Sequence, residues 1–191
     1  LKEQGKRAVV FGGDGTVATA FLGNFYDRAN GVAIQPDGRI IAAGSVYNSA
    51  GTRSDFGLVR YNRDGNRDVT FDGDGRLTTT IFEGRNSSAS SIAIQADGKI
   101  VAAGSTHNGS NDDFAVLRYL ADGSLDTTFD GDGKVTTPVH LGNDYANSIA
   151  IQAYGKIVIA GSANSDFAVV RYNSDGSLDT SFDGDGKVTT P

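Results

Sequence analysis

Carboxylates in short, glycine-rich loops are the residues of this sequence best suited to chemistry. Four of them fall within eleven residues, and a later loop repeats the pattern: Asp122, Asp126, Asp130 and Asp132, then Asp175, Asp179, Asp183 and Asp185. Hard cations such as Ca²⁺ take several oxygen ligands from one short loop, so the first set is a candidate calcium site. The loop lacks the spacing and the terminal Glu of an EF-hand, however.

Turn chemistry explains the same loops without a metal. Asp caps its own backbone in a tight turn and Gly adopts positive φ, so Asp-Gly pairs are typical of turns. The first copy of the loop keeps only one of the four carboxylates, because its equivalents are Gln4, Ala8, Gly12 and Asp14. The sequence therefore favours turns with no cofactor and keeps calcium as the alternative.

His107 and His140 are the two histidines of the chain, and both fall in segments that read as loops. A Ser-His-Asp arrangement needs a nucleophile and an orienting carboxylate nearby, and Ser105, Ser110 and Asp144 supply these residue types. Ser and Asp fill every loop of this sequence, so their presence near a histidine discriminates little. We therefore favour a protein that is not an enzyme and keep a hydrolase with a loop-lined active site as the alternative.

The composition argues against several classes of partner. A net charge of −6 and a pI near 4.8 disfavour nucleic acid, whose phosphates require Lys and Arg. The chain has no long apolar run, which disfavours membrane insertion, and no Cys, which excludes disulfides and thiolate metal sites. An acidic chain rich in Gly, Asn, Ser, Thr and Asp predicts a protein that is secreted or displayed on the cell surface of a bacterium.

Three motifs recur in the same order along the chain. Phe-x-Gly-Asp-Gly begins at Phe11, Phe71, Phe129 and Phe182, in steps of 60, 58 and 53 residues. Ala-Ile-Gln begins at Ala33, Ala93 and Ala150, and the Asp-Phe motif begins at Asp55, Asp113 and Asp166. Nearly all of the variation in length lies in one loop of each repeat, over residues 45–55, 105–113 and 162–166. Loops that tolerate insertion face solvent and often carry binding.

Each repeat predicts four short strands, which in the second repeat are residues 91–95, 99–105, 114–119 and 134–137. Apolar residues alternate with period two, Asp97-Gly98 is typical of a hairpin turn, and no window keeps a helical period. The pattern predicts an all-β fold of β-propeller blades, each with four antiparallel strands, and three repeats in this chain. A solenoid or a sandwich is the competing all-β interpretation.

The motifs also divide the chain into units. The repeats run approximately over residues 11–70, 71–128 and 129–181, and residues 182–191 begin a further repeat, within residues 1–191 as a single propeller domain or part of one. Residues 16–20 read as an additional strand of the Val-Thr type. Rings usually need at least four blades, so we expect either a homo-oligomer that completes a ring, such as a dimer of three-blade halves, or further blades of a longer parent chain.

Three segments of the second repeat carry a family resemblance: Asp113-Phe-Ala-Val-Leu-Arg-Tyr, Asp122-Gly-Ser-Leu-Asp-Thr-Thr-Phe and Ile94-Gln-Ala-Asp-Gly-Lys-Ile. They resemble the delta-60 repeat of bacterial proteins, and the likeness extends from about Phe11 to Pro191. It implies a β-propeller, often within large secreted or cell-surface proteins, with no agreed biochemical function and no catalytic residues to carry over. Leu120 and Tyr154 depart from the repeat, where the other copies have Asn and Asp.

The blade pattern also resembles the NHL repeat, which implies that residues 91–95 are innermost and residues 134–137 outermost. The Asp-Gly turns then share one end of the blades, which we call the turn face. The variable loops and the connections between blades, such as residues 139–147, share the opposite end, the variable-loop face. The same likeness implies that the repeated acidic loops also lie on the turn face.

Function is predicted on the variable-loop face, because its side chains are the least repetitive of the chain. The expected ligand-binding residues are Tyr47, Arg53, His107, Asn108, His140, Asp144 and Tyr145. Aromatic, amide and charged groups on one rim suit a polar ligand, a glycan or another protein. The sequence thus predicts a non-enzymatic module for surface recognition or scaffolding.

Two sets of repeated residues are expected to be structural. Arg60, Arg118 and Arg171, together with Asp55, Asp113 and Asp166, predict ion pairs or hydrogen bonds between blades. Two sets of phenylalanines predict the core between blades: Phe56, Phe114 and Phe167, and Phe71, Phe129 and Phe182.

Overall fold

The computed structural model describes residues 11–21 and 26–190, and its strands form three four-stranded antiparallel sheets. Blade one contains β1 (Arg28–Ile34), β2 (Ile40–Tyr47), β3 (Ser54–Tyr61) and β4 (Arg76–Thr79). Blade two contains β5 (Ser87–Ile94), β6 (Ile100–His107), β7 (Asp112–Tyr119) and β8 (Lys134–Thr137). Blade three contains β9 (Asp144–Ile151), β10 (Ile157–Ala163), β11 (Asp166–Tyr172) and β12 (Lys187–Thr190). The strands of each sheet lie in chain order, so the predicted propeller blades are confirmed.

The described residues contain no α-helix, and their one helical segment is a short 3-10 turn over Ala153–Gly155. None of their helices is long and apolar enough to cross a membrane. The blades are offset from the repeats counted in the sequence, because each Phe-x-Gly-Asp-Gly motif precedes the fourth strand of its own sheet. Residues 187–190 thus close blade three by pairing with β11.

Asp-Gly turns join the first two strands of blades one and two. In blade two, Asp97 Oδ1 accepts the backbone N–H of Lys99 at 3.2 Å, and Gly98 has a φ of +85°. A residue with a Cβ is strained at that φ, so the turn requires Gly. In blade three, Tyr154 replaces the Asp, and the same connection becomes the 3-10 turn.

Apolar side chains fill the space between successive blades. Phe56 and Phe71 of blade one are fully buried in one core with Leu117 of blade two. Phe114 and Phe129 of blade two are fully buried in the equivalent core against blade three. Burying such a side chain contributes about 1.5–3 kcal/mol relative to leaving it exposed, so these junctions hold the blades together. The predicted role of these four phenylalanines is confirmed.

The order of strands from inside to outside also agrees with the resemblance to the NHL repeat. The first strands of neighbouring blades contact each other, β1 with β5 and β5 with β9. On the variable-loop face, Asn111 Nδ2 donates to the carbonyl of Gly142 at 2.6 Å, which joins a variable loop to the connection between blades. The two faces therefore lie where the sequence placed them.

The outer face of blade three and the inner strand of blade one depart from this packing. Phe167 is 81% exposed, although its repeat equivalents Phe56 and Phe114 are fully buried. Val32 and Ile34 of β1 are also exposed, at 66% and 70%. Phe167 therefore does not lie in a core between blades of the described chain.

Residues 16–20 do not form the predicted strand. A strand ladder needs a neighbouring strand, and the described residues provide none beside this segment. Thr19 nevertheless takes the place of a fourth-strand threonine, because the Tyr61 hydroxyl bonds to its Oγ1 at 2.7 Å. Tyr119 bonds to Thr79 of the preceding blade in the same way, at 2.9 Å.

Candidate functional site

Three buried or partly buried ion pairs fix the turn face, one in each blade. The arginine Nε lies 2.8, 2.7 and 2.6 Å from the carboxylate Oδ2 in the pairs Arg60–Asp68, Arg118–Asp126 and Arg171–Asp179. The predicted pairing with Asp55, Asp113 and Asp166 is wrong. Asp113 lies five residues before Arg118 on β7, or about 17 Å along the strand, and accepts hydrogen bonds from Asn108 and Asn111 at the other end.

Each arginine of the first two blades also holds the next blade. Arg60 Nη1 donates to the carbonyl of Ala121, and Arg118 Nη1 donates to the carbonyl of Ser174. The Arg118 guanidinium also lies over the Phe129 ring, 4.6 Å from its centroid. The predicted hydrogen bonds between blades are therefore present, and they use backbone acceptors.

A cavity opens on the turn face between blades two and three. Its volume is about 630 Å³. Blade two contributes Gln95, Arg118 and Thr128 to its wall, and blade three contributes Tyr154 and Ser174. We call it the junction pocket. It lies between two blades that share an apolar core. Arg118, which pairs with Asp126 and donates to the carbonyl of Ser174, also holds these two blades together.

A second cavity of about 460 Å³ lies one repeat earlier, between blades one and two. It is lined by Gln35, Arg60 and Thr70, which are the repeat equivalents of Gln95, Arg118 and Thr128. The pocket is therefore a product of the repeat and does not depend on one irregular loop. The junction pocket differs by its greater volume and by Tyr154 on its rim.

Gln95 lines the junction pocket and carries a buried, unsatisfied acceptor. Its residue is 7% exposed, and its Nε2 donates to the carbonyl of Gly155 at 3.4 Å. Its Oε1 is buried and has no hydrogen-bond partner among the described residues. A buried amide oxygen without a partner costs about 1–3 kcal/mol. A ligand hydroxyl or N–H group would recover that cost by donating to Oε1 once it has displaced the atoms that cover this oxygen.

The charges around the pocket nearly balance. Lys99 Nζ lies 3.0 Å from Asp97 Oδ2 and 3.6 Å from Asp126 Oδ2. Arg118 is neutralised by Asp126, and Asp175 adds one further carboxylate to the lining. No excess of cations faces the cavity, so its lining does not suit a phosphate or another strong anion.

The carboxylates near the pocket stay ionised at neutral pH. Burial raises the pKa of Asp126, but the hydroxyl and backbone N–H of Thr128 and the charges of Arg118 and Lys99 lower it further, so the pKa lies below its usual value. The hydroxyl and backbone N–H of Ser177 lower the pKa of Asp175. A carboxylic acid held protonated near neutral pH, as a general acid requires, is not provided by either group.

One carboxylate of the described chain has the opposite shift. Burial, followed by the nearby charges of Asp74 and Asp122, raises the pKa of Asp72. Asp72 does not line the junction pocket, and its backbone N–H donates to the carbonyl of Asp122 at 2.8 Å. It therefore belongs to the contact between blades one and two.

Tyr154 is the most exposed aromatic residue at the pocket. Its side chain is 97% exposed, and its φ of +63° is held within the 3-10 turn. An exposed ring beside a polar cavity offers a flat apolar surface to a ligand. Sequence reasoning registered Tyr154 as a departure from the repeat but assigned it no role.

Sequence reasoning also missed Gln95. The available signal was the glutamine that ends the Ala-Ile-Gln motif in all three copies, at Gln35, Gln95 and Gln152. The tight turn itself does not require a glutamine at the position immediately before it. The repeated glutamine indicates a polar contact at the end of the innermost strand.

The four carboxylates of the predicted calcium site are not brought together. Asp126 pairs with Arg118, Asp122 Oδ1 accepts from the backbone and hydroxyl of Ser124, and Asp132 Oδ1 accepts from the Lys134 N–H. Asp130 lies exposed in its turn with a φ of +52°. Across residues 11–21 and 26–190, no group of three or more Asp, Glu or His side chains is placed to hold a metal.

The predicted ligand-binding residues on the variable-loop face make local contacts. Asn108 Oδ1 accepts from the N–H groups of Ser110 and Asn111, and Asp144 is fully buried and accepts from the N–H groups of Val139 and His140. These bonds shape the loops that carry them. Asn108 and one carboxylate oxygen of Asp144 thus have structural partners already, whereas Asp144 Oδ1 is buried without one.

The other members of that set lie in separate contacts. His107 Nδ1 accepts the N–H of Gly109 at 3.0 Å, and Arg53 lies 3.4 Å from Glu83. The Tyr145 hydroxyl hydrogen-bonds Asp112, and burial, then that bond and the charge of Asp112, raise its pKa. Tyr47 ends β2, where its N–H donates to Asp27 Oδ1. None of the seven predicted residues lines a cavity described above.

Comparison with known proteins identifies the family of the chain. The family model described as "Domain of unknown function (DUF5122) beta-propeller" matches residues 35–71, 95–129 and 152–182, which is more than half of the chain. No curated protein matches the chain. The crystal structure of a protein of unknown function from Dyadobacter fermentans DSM 18053 is similar, with a TM-score of 0.54 and 10% identity over 86% of this chain and 42% of that one. At that identity the likeness concerns the fold alone, and this chain spans less than half of that structure's length. The chain belongs to the DUF5122 beta-propeller family.

Proposed function

We propose that this protein is a non-enzymatic propeller module that recognises a glycan in the junction pocket. The observation that carries the proposal is the pairing of an unsatisfied buried acceptor, Gln95 Oε1, with an exposed aromatic ring, Tyr154, at one cavity. Sugars present hydroxyl donors on their edges and apolar C–H groups on their faces. The polar side chains of the lining and the ring of Tyr154 suit these two kinds of group.

Charge and size support this choice of ligand. The set of Lys99, Arg118, Asp97, Asp126 and Asp175 carries two positive and three negative charges, and it provides donors and acceptors without a net attraction for anions. A volume of about 630 Å³ lies in the range typical of small-ligand sites, about 300–1,000 Å³. A neutral mono- or disaccharide unit satisfies both conditions.

The sequence favoured the variable-loop face instead, through residues such as Tyr47, His107 and Tyr145. That location stays a prediction, and we place the ligand on the turn face because none of the seven predicted residues lines a cavity described above. The hydrolase alternative also stays a prediction. No described contact joins a serine, a histidine and a carboxylate in one chain of hydrogen bonds, so no observation favours it.

A location outside the cell agrees with glycan recognition. We keep the prediction that the protein is secreted or displayed on a bacterial surface, on the strength of its acidic, Gly- and Asp-rich composition. Fractionation of the producing bacterium with an antibody against the chain would test it. Recovery from the cytosol alone would contradict it.

An array of defined neutral and acidic oligosaccharides tests the function. We expect the wild-type chain to bind neutral members, and Gln95→Leu and Tyr154→Ala to weaken binding by about 3- to 12-fold each, as expected for one hydrogen bond or one ring contact. Tyr145→Ala is the matched control, because it removes an aromatic ring from the opposite face. Retention by acidic members alone, or loss in the control only, would overturn the proposal.

A further inference from the structure

Blade three presents an apolar surface that the other blades bury. Phe167 is 81% exposed at its centre, and Val158, Val169 and Val188 beside it are only half-buried. In blade one the equivalent Phe56 is fully buried against blade two. The outer face of blade three thus has the side chains of a junction between blades, but no blade of the described chain packs against it.

Blade one carries the matching half, and it contains a cavity. The cavity has a volume of about 230 Å³ and lies between Ala29, Ala42, Gly57 and Val59 of blade one and a wall formed by residues 11–21, which contribute Val17, Thr19 and Phe21. One repeat later, the equivalent residues are Ala89, Ala102, Ala115 and Leu117. Those four residues belong to the same buried core as Phe56. The cavity of blade one therefore lies where the repeat expects a phenylalanine.

We infer that Phe167 of one copy fills this cavity in blade one of a second copy. Two such contacts, related by twofold symmetry, would join blade three of each copy to blade one of the other and close a ring of six blades. The proposal is independent of the glycan site. It is supported by continuity with the two internal junctions, which use the same side chains at the same repeat positions.

Polar groups at the open face support the same arrangement. Arg171 repeats the position of Arg118, whose Nη1 donates to the carbonyl of Ser174 in the next blade. Thr190 repeats the position of Thr137, whose Oγ1 accepts from the Tyr172 hydroxyl at 2.7 Å. In the second copy, the Tyr61 hydroxyl is the equivalent donor for Thr190.

Residues 11–21 compete for this position. The Gly12 N–H donates to the carbonyl of Asp64 at 2.8 Å, and the Tyr61 hydroxyl bonds Thr19. At the next junction, Asp72 donates to Asp122 in the same way. The segment therefore imitates the outer edge of a preceding blade, and it must leave before blade three of a second copy can dock. Dimerisation is consequently weaker than the apolar contact alone would make it.

Sedimentation equilibrium of the full chain tests the inference. We expect a concentration-dependent dimer of two 19.9-kDa chains. Phe167→Lys should raise its Kd by about 30-fold or more, because it removes a central aromatic anchor. Tyr154→Lys is the matched control, since it alters an aromatic ring on the turn face that is even more exposed, and it should leave the Kd of the dimer unchanged. A wild-type chain that is monomeric at all concentrations would overturn the inference, as would equal effects of the two variants.

Two further variants probe the other half of the contact. Ala42→Leu fills the cavity from within and should abolish the dimer, whereas a mixture of Ala42→Leu and Phe167→Lys chains retains one intact junction and should recover part of it. Val17→Asp disrupts the apolar contact of Val17 beside Gly65, which helps to hold residues 11–21 against blade one. This variant should therefore strengthen dimerisation. Circular dichroism checks that each variant is folded. Failure of the mixture to associate, while both variants are folded, would contradict the proposed pairing.

Discussion

The turn face and the variable-loop face lie at opposite ends of the same three sheets, and they use polar side chains differently. On the variable-loop face, Asn108 and Asp144 accept from backbone N–H groups of their own loops, and Asp144, whose Oδ1 has no partner, lines no cavity described above. On the turn face, Arg118 ties two blades together and leaves Gln95 Oε1 unsatisfied beside a cavity. Variability of length and sequence therefore does not locate a pocket. The repeated residues build one because they fix the spacing between blades.

Removal of the buried ion pair between Arg118 and Asp126 is expected to change the free energy of unfolding more than any substitution on the variable-loop face. Arg118→Met leaves Asp126 without its principal partner in a site where both side chains are 4% exposed, which should lower the free energy of unfolding by about 3–5 kcal/mol. Asn108→Ala on the variable-loop face should lower it by about 1 kcal/mol. Urea denaturation measures both. Equal losses of unfolding free energy in the two variants would contradict the view that the turn face joins the blades while the variable loops satisfy only their own backbone groups.

Acid should weaken the turn face next. The pKa of Asp126 and of Asp97 lies below the usual value, since hydrogen bonds and cationic neighbours outweigh the effect of burial. A carboxylate with a lowered folded-state pKa stabilises the fold fully above its unfolded pKa, about 3.9, and the contribution is lost as the pH falls through the folded-state value. We therefore expect the melting temperature to fall below about pH 4.

The variant Asp126→Asn serves as the control for this titration. It should be less stable than wild type at pH 7 and should lose less stability between pH 7 and pH 3. Calorimetric melting across that range measures both proteins. A wild-type chain that is equally stable at pH 3 and pH 7 would show that these carboxylates do not stabilise the fold.

The smallest effect is expected from calcium. Asp122 and Asp132 cap their own turns and Asp126 pairs with Arg118, so the acidic loops should not gain stability from the ion. Melting with calcium and with a chelator should give the same temperature. An ion that binds the native state would raise it by mass action, and a rise that is lost in Asp130→Ala with Asp132→Ala would establish the alternative calcium site.

The blades could be predicted from the sequence because strand periodicity and turn residues are local signals. The predicted strand over residues 134–137 coincides with β8, while the strand predicted from residue 91 begins at Ser87, since the polar residues before Ile92 gave no apolar alternation. The partner of Arg118 could not be chosen from spacing, because Asp113 and Asp126 are both near it in the chain. The pocket could not be predicted at all, since the unsatisfied state of Gln95 depends on how two blades approach each other.

An NMR titration compares the two faces most directly. The chain would be labelled on its backbone and side-chain amides and titrated with a neutral oligosaccharide selected by the array. We expect the resonances of Gln95, Gly155 and Ser174 to shift together, with those of Asn108 and Tyr145 unchanged. Shifts confined to the variable-loop face, with Gln95 unaffected, would contradict the assignment of recognition to the junction pocket.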